Sequence, residues 1–184
     1  MIYIIMGVSG CGKSSFGAHL SEKLGWTLHE GDDFHPQENV EKMAQGEPLT
    51  DEDRFPWLLR LHEVIQTERC SGSDALVTCS ALKRLYRQIL LHGSRALDQD
   101  ILPPVAPDVF FLFLHGDYGL IHQRMVARRG HYMKADLLRS QFDALEPPLD
   151  EENVLSLDIS RSVTDLGAEV EQHIIGLKSS PVVL

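Results

Sequence analysis

Five apolar residues in a row, Ile2–Met6, open the chain, and behind them short apolar runs alternate with segments whose apolar positions recur every three or four residues. An unbroken apolar run suits a strand covered on both faces, whereas the longer period suits an amphipathic helix. Read this way, strands fall at 2–6, 27–30, 75–79, 109–114 and 154–157. Helices fall between them, over 13–24, 37–45, 81–91 and 117–129, with Gly25, Gly46 and Gly130 placed to end three of them. Thr50 and Asp53 have the spacing of a capping box, but Pro56 lacks the N–H that an interior helical residue donates. The pattern therefore predicts a turn at 51–55 and then a helix with Pro56 at its first position, its apolar face formed by Trp57, Leu58, Leu61, Val64 and Ile65. A closing helix carries Val163, Leu166, Val170, Ile174 and Leu177 on one face, with Ser162 and Asp165 as its capping box.

Strands separated by helices imply an α/β fold, a parallel sheet between two helical layers, in one domain spanning 1–184. Two segments depart from the rhythm. Residues 93–108 hold Pro103, Pro104 and Pro107 and read as a surface loop, while 130–153 are polar, helical in part, and read as a mobile lid.

The net charge of −10 argues against a nucleic-acid partner, because phosphate backbones are held by accumulated Lys and Arg. Any anionic ligand must meet positive charge concentrated locally. Cys11, Cys70 and Cys79 are odd in number and form no C-x-x-C pair, which fits a reducing, cytoplasmic setting rather than a disulfide framework. No run approaches the roughly 18 apolar residues of a membrane span, so no membrane association is expected.

Chemistry enters directly behind the first strand. Gly7-Val-Ser-Gly-Cys-Gly-Lys-Ser14 satisfies G-x-x-x-x-G-K-[ST], with a strand before it and a helix after it. In such a P-loop the glycines let backbone N–H groups turn toward one anion, the helix start adds its positive end, Lys13 reaches the terminal phosphates and Ser14 can ligate Mg²⁺. The nucleotide-binding set is Gly7, Val8, Ser9, Gly10, Cys11, Gly12, Lys13, Ser14 and Ser15. Cys11 occupies a variable position of the motif; it is either tolerated there or open to oxidation near the helix end. No D-x-x-G occurs and no lysine follows Asn or Thr, which disfavours a guanine-reading switch and leaves ATP with Mg²⁺. No zinc-ligand spacing is present.

The acceptor side begins with Glu30-Gly-Asp-Asp-Phe-His-Pro36, at the sheet edge where open α/β folds bind ligands. Asp32 is the first candidate to orient an acceptor hydroxyl or take its proton and Asp33 the second, against the alternative of a helix cap before Pro36. His35 can hydrogen-bond a polyol or carboxylate, or be structural. Arg54 can grip a carboxylate, or pair with Asp51, Glu52 and Asp53 at the surface. Ser80 offers a hydroxyl to the acceptor or caps a helix, and of Lys83, Arg84 and Arg87, which can also form a solvated face, one is expected to meet ligand. Arg124 and Arg128 share a helical face, with Arg129 and His131 at its end. They can close on a transferring phosphoryl, or answer the helix dipole alone.

Four blocks, GVSGCGKSS, EGDDFHPQENVEKMAQGEPLTDEDRFPWL, CSALKRLYRQIL and RRGHYMKADLLRSQFDALEPP, together resemble the gluconokinases. The resemblance implies a three-layer P-loop NTPase of the nucleoside-monophosphate-kinase type: a five-stranded parallel sheet flanked by helices, a helical lid at about 130–148, and a homodimer. It implies transfer of the γ-phosphoryl of ATP to the 6-hydroxyl of D-gluconate. Lys13, Asp32 and Arg128 would then be catalytic, Arg124 and Arg128 would join the nucleotide site, and Asp32, His35, Arg54, Ser80, Lys83 and His131 would hold the acceptor. Two features depart from the family pattern, Glu30 where members often carry Asp and a longer 93–108 connection. The alternatives are a related kinase of idonate or shikimate, or an ATP-binding sensor without turnover.

Overall fold

Ile2–Met6 (β1) lies at the middle of a five-stranded sheet, with all five residues buried. Its neighbours are Ala75–Thr78 (β3) on one side and Val109–His115 (β4) on the other, both parallel to it. Thr27–Glu30 (β2) and Val154–Asp158 (β5) complete the order β2-β3-β1-β4-β5. The computed structural model describes residues 1–98, 102–103, 105–127, 135–149 and 153–179. The three inner strands are buried and apolar except for Thr78 and His115 at their ends, because helices cover both faces, while the edge strands are only partly buried.

The helices are Lys13–Leu24 (α1), Gln37–Ala44 (α2), Asp51–Cys70 (α3), Arg84–His92 (α4), Tyr118–Ala127 (α5), Ala135–Ala144 (α6) and Val163–Ser179 (α7). The pair α1 and α7 pack together, as do α3 and α4. The first helix has the expected bounds, and Gly25 ends it in the left-handed region at φ 72°. Among the described residues, no helix is long and apolar enough to cross a membrane.

Three expectations need correction. Helix α3 starts at Asp51, not at Pro56: Asp53 donates its N–H to Thr50 Oγ1 at 3.2 Å and its carboxylate accepts from Thr50 N at 2.8 Å. That capping box, with Lys42 on Asp53 at 2.7 Å, anchors the first turn firmly enough to carry Pro56 inside the helix, where only one main-chain bond is forgone. Helix α4 starts at Arg84 rather than at residue 81, because Ala81 sits at φ 46° in a turn braced from elsewhere. Arg87 donates to the Ala81 carbonyl at 2.7 Å, and Glu146 donates its N–H to Leu82 O while accepting from Arg84 N. Third, 93–108 is not wholly a surface loop: Gly93–Leu97 forms a 3₁₀ turn, and buried Ala106 pairs with Val109. The end of the 117–129 helix, its stop at Gly130 and the first part of the lid lie outside the described residues.

Candidate active site

The loop from Gly7 to Gly12 joins the end of β1 to the start of α1, and its glycines are there for two reasons. Gly7, Gly10 and Gly12 hold φ of 145°, 81° and 97°, which side chains rarely adopt. A Cβ on Gly7 would also stand 2.6 Å from the Leu114 carbonyl oxygen, and one on Gly10 would stand 2.3 Å from Met125. Gly12 brings no capping side chain to α1, so the helix presents its first N–H groups to the loop's concavity. Lys13 arches back, donating from Nζ to the carbonyls of Gly7 at 2.9 Å and Val8 at 3.0 Å. Ser9 donates its N–H to Gln141 Oε1 of α6 at 2.7 Å, so this loop amide already holds an oxygen. These are the features of an oxygen-anion cradle, and they fit the phosphates of a nucleotide.

Next to it lies an all-oxygen cluster around Glu30, a side chain to which sequence reading gave no role. Ser14 donates from Oγ to Glu30 Oε2 at 3.0 Å, and Thr78 donates to the same oxygen at 2.7 Å. Strand register makes the cluster, since Glu30 of β2 stands beside Thr78 of β3. Hydroxyl and carboxylate oxygens suit a hard cation such as Mg²⁺.

A cavity of about 300 Å³ brings together Lys13, Asp32, His35, Arg54 and Ser80, along with Ser9 and Gln141. Asp32 projects from the 3₁₀ turn Gly31–Phe34 with its side chain 91% exposed, whereas Asp33 is exposed and does not line the cavity. That turn lies tight on β3: a Cβ on Gly31 would stand 1.9 Å from the Thr78 carbonyl oxygen. The His35 ring stacks on Trp57 with centroids 4.0 Å apart, and Trp57 donates to the Gly31 carbonyl at 2.7 Å. Burial pushes the His35 pKa down to about 4, with the Asp32 charge opposing the shift and Arg54 adding to it.

Arg54 faces the cavity with its guanidinium held by the Tyr86 hydroxyl at 3.1 Å. Tyr86 in turn donates to Asp51, which also pairs with Lys83 at 2.9 Å, and these two hydrogen bonds hold the Asp51 carboxyl below its usual range. Lys83 is thus engaged by Asp51 and does not line the cavity. Ser80 lines it from the end of β3, yet it does not cap α4, which starts four residues later; its carbonyl accepts from Gly7 N at 3.2 Å. Arg87 is 2% exposed and bonds to the Ala81 and Glu146 carbonyls, which corrects the solvated-face reading for that residue.

On the other side of the loop, a second cavity of about 550 Å³ is lined by Gly10, Cys11, Gly12, Ser15 and Arg124, and by Arg161 and Ser162 before α7. Arg124 donates to the Ile159 carbonyl at 2.8 Å. Cys11 is buried and its thiol is pushed up by desolvation, which favours tolerance over oxidation. Arg128, Arg129 and His131 lie outside the described residues. Sequence reading missed Gln141 and Arg161 and saw in Ser162 only a helix cap; their place at the site comes from packing.

No protein-family model matches the sequence. A protein of Xenopus tropicalis named probable gluconokinase is 43% identical over 180 residues, covering 95% of this chain and 93% of its own. The thermosensitive gluconokinase of Escherichia coli K12 is 39% identical over 181 residues, covering 98% of this chain and 90% of its own. Among solved structures, a gluconokinase from Sinorhizobium meliloti 1021 superimposes with a TM-score of 0.77 at 36% identity, covering 96% of each chain.

Proposed function

The chain belongs to the gluconokinase family, and from that premise we propose that the cavity joining Lys13 to Asp32 is where the γ-phosphoryl of ATP meets the 6-hydroxyl of D-gluconate. The protein is an ATP-dependent gluconate kinase, and the product of this transfer is 6-phospho-D-gluconate. The observation that carries the residue assignment is the shared cavity, with a phosphate-loop lysine on one wall and Asp32, His35 and Arg54 on the others.

The roles follow from charge and reach. Lys13 leaves the Gly7 and Val8 carbonyls for the phosphates, and Ser9 gives its N–H to a phosphate oxygen in place of Gln141. Ser14 and Glu30 would hold Mg²⁺, which when bound offsets the charge on the β- and γ-phosphates. Asp32 orients the acceptor hydroxyl and receives its proton as the new P–O bond forms and the bond to ADP breaks. Arg54 binds the gluconate carboxylate, while His35 and Ser80 hydrogen-bond its hydroxyls, with His131 as a further acceptor contact. Arg128 and Arg124 stabilise the transferring group from the nucleotide side as the lid at about 130–148 closes and excludes water. The second cavity, beside Ser15 and Arg124, holds the remainder of the nucleotide.

The chain works as one kinase domain with the lid inside it, in a cytoplasmic homodimer, a reading supported by the family resemblance and by three free cysteines. The test is ADP release from Mg-ATP with gluconate, idonate, glucose, shikimate or no acceptor, alongside light scattering for the dimer. Gluconate alone should stimulate release strongly; equal stimulation by idonate or shikimate, or binding of ATP without any turnover, would overturn the acceptor assignment.

A further inference from the structure

Of the buried polar side chains among the described residues, Thr78 supports Glu30 and Arg87 supports the 80–83 turn, while Asn39 points at the acceptor cavity's histidine. Asn39 lies on α2, is 2% exposed and does not itself line the cavity. Its side-chain nitrogen stands 2.8 Å from the Asp53 carbonyl oxygen and 3.1 Å from His35 Nδ1.

The first of these contacts settles the amide's orientation. A main-chain carbonyl only accepts, so the group facing Asp53 O must be the NH₂; the flipped amide would set two oxygens against each other in a buried site. One hydrogen of that NH₂ goes to Asp53, which leaves the other for His35 Nδ1. An N–H aimed at Nδ1 needs a lone pair there, so a neutral ring carries its proton on Nε2. The ring has little freedom to escape this arrangement: its side chain is 4% exposed and it is stacked on Trp57 at an interplanar angle of 17°. The charged groups facing it are Asp32 from the 3₁₀ turn and Arg54 from α3, while α2 presents the neutral Asn39.

His35 Nε2 is 3.8 Å from Asp32 Oδ1, too far for a direct hydrogen bond. An oxygen seated between them would accept from Nε2–H and donate to the carboxylate. A hydroxyl can do both; a carbonyl or ether oxygen can only accept. We propose that Asn39 is a positioning residue, fixing His35 as the Nε2–H tautomer so that His35 and Asp32 form a donor–acceptor pair selective for a hydroxyl of the acceptor. The selectivity half rests on reading this cavity as the acceptor site; the tautomer half does not.

Nitrogen-15 spectra of histidine-labelled, ligand-free protein near neutral pH read the tautomer directly, without any variant. The Nε2–H pattern is expected for His35, and an Nδ1–H pattern overturns the proposal whatever the enzyme's activity. In Asn39→Asp the buried carboxyl must keep a proton to donate to the Asp53 carbonyl, which leaves that oxygen only a lone pair to accept from Nδ1–H, so the pattern should invert, with the gluconate KM rising about tenfold and the ATP KM unmoved. An unchanged gluconate KM in that variant overturns the selectivity role. A cycle with His35→Gln guards against a merely structural effect: once His35 is gone, Asn39→Asp should add nothing to the gluconate KM, and full additivity overturns the coupling. If the wild-type protein showed no gluconate-dependent turnover, the cavity's reading and the selectivity half would fall together, while the tautomer would stand on its spectrum.

Discussion

Glu30→Gln separates the charge of Glu30 from its shape. Glu30 Oε2 accepts from Ser14 at 3.0 Å and from Thr78 at 2.7 Å, and a glutamine keeps an oxygen of the same reach for those hydroxyls. The fold should therefore lose no more than about 1 kcal/mol. What disappears is the negative charge directly behind the Ser14 hydroxyl. Removing a group that orients or neutralises a metal ligand typically costs about 10–100-fold in metal affinity, or about 1.4–2.8 kcal/mol. ADP release at saturating gluconate and ATP, titrated with Mg²⁺, should show the half-saturating metal concentration rising by that about 10–100-fold factor, with much of the rate restored at high metal. Thermal shifts should agree, with free protein melting nearly as wild type and a fixed low dose of Mg-ATP stabilising the variant less. Glu30→Asp keeps the charge and should move the metal requirement far less than Gln does. A folded Glu30→Gln protein with a wild-type Mg²⁺ titration would refute the reasoning and make Glu30 a structural acceptor for two hydroxyls.

Lys13→Ala should lower kcat by at least about 10²–10³-fold with little change in melting temperature, because its present partners are two loop carbonyls; retention of turnover would remove it from the reaction. Gly10→Ala combines φ 81° with a Cβ only 2.3 Å from Met125, and should cost about 1–3 kcal/mol in chemical denaturation; a neutral result would mean the loop relaxes freely. Tyr86→Phe removes the hydroxyl that accepts from Arg54 and donates to Asp51, and should raise the gluconate KM several-fold while leaving the ATP KM alone. For pH, the folded His35 pKa of about 4 lies below its unfolded value of 6.5, so the unfolded chain binds the extra proton between them and stability falls as pH drops through that window. His35→Gln should flatten the decline between those two values in a pH series of melting temperatures. Asp53, held down to about 2 by Lys42 and Thr50, adds a further loss only below the ordinary carboxylate range, so Asp53→Asn should differ from wild type less as pH approaches that value.

What could be read from the sequence shares a property: the cause lies within a few residues of the effect. Gly25 ends α1 and the P-loop glycines turn the chain because local backbone conformation demands it, and the unbroken run at β1 reports its own burial. Even the Thr50–Asp53 box was visible, and the misplaced start of α3 came from giving Pro56 more weight than the anchored turn before it. The features that escaped are set across the chain. Ala81 takes a left-handed conformation beside Glu146, which arrives from far along the sequence to hold Leu82 and Arg84. Glu30 meets Ser14 only because β2 pairs with β3 in a register that brings Thr78 alongside, and strand order is not written in any one segment. The same parallel register nevertheless collects the ends of β1, β2 and β3 at one edge. A carboxylate at the end of β2 therefore stands near the P-loop on geometric grounds, and that argument, applied to Asp32, applied equally to Glu30 two residues earlier.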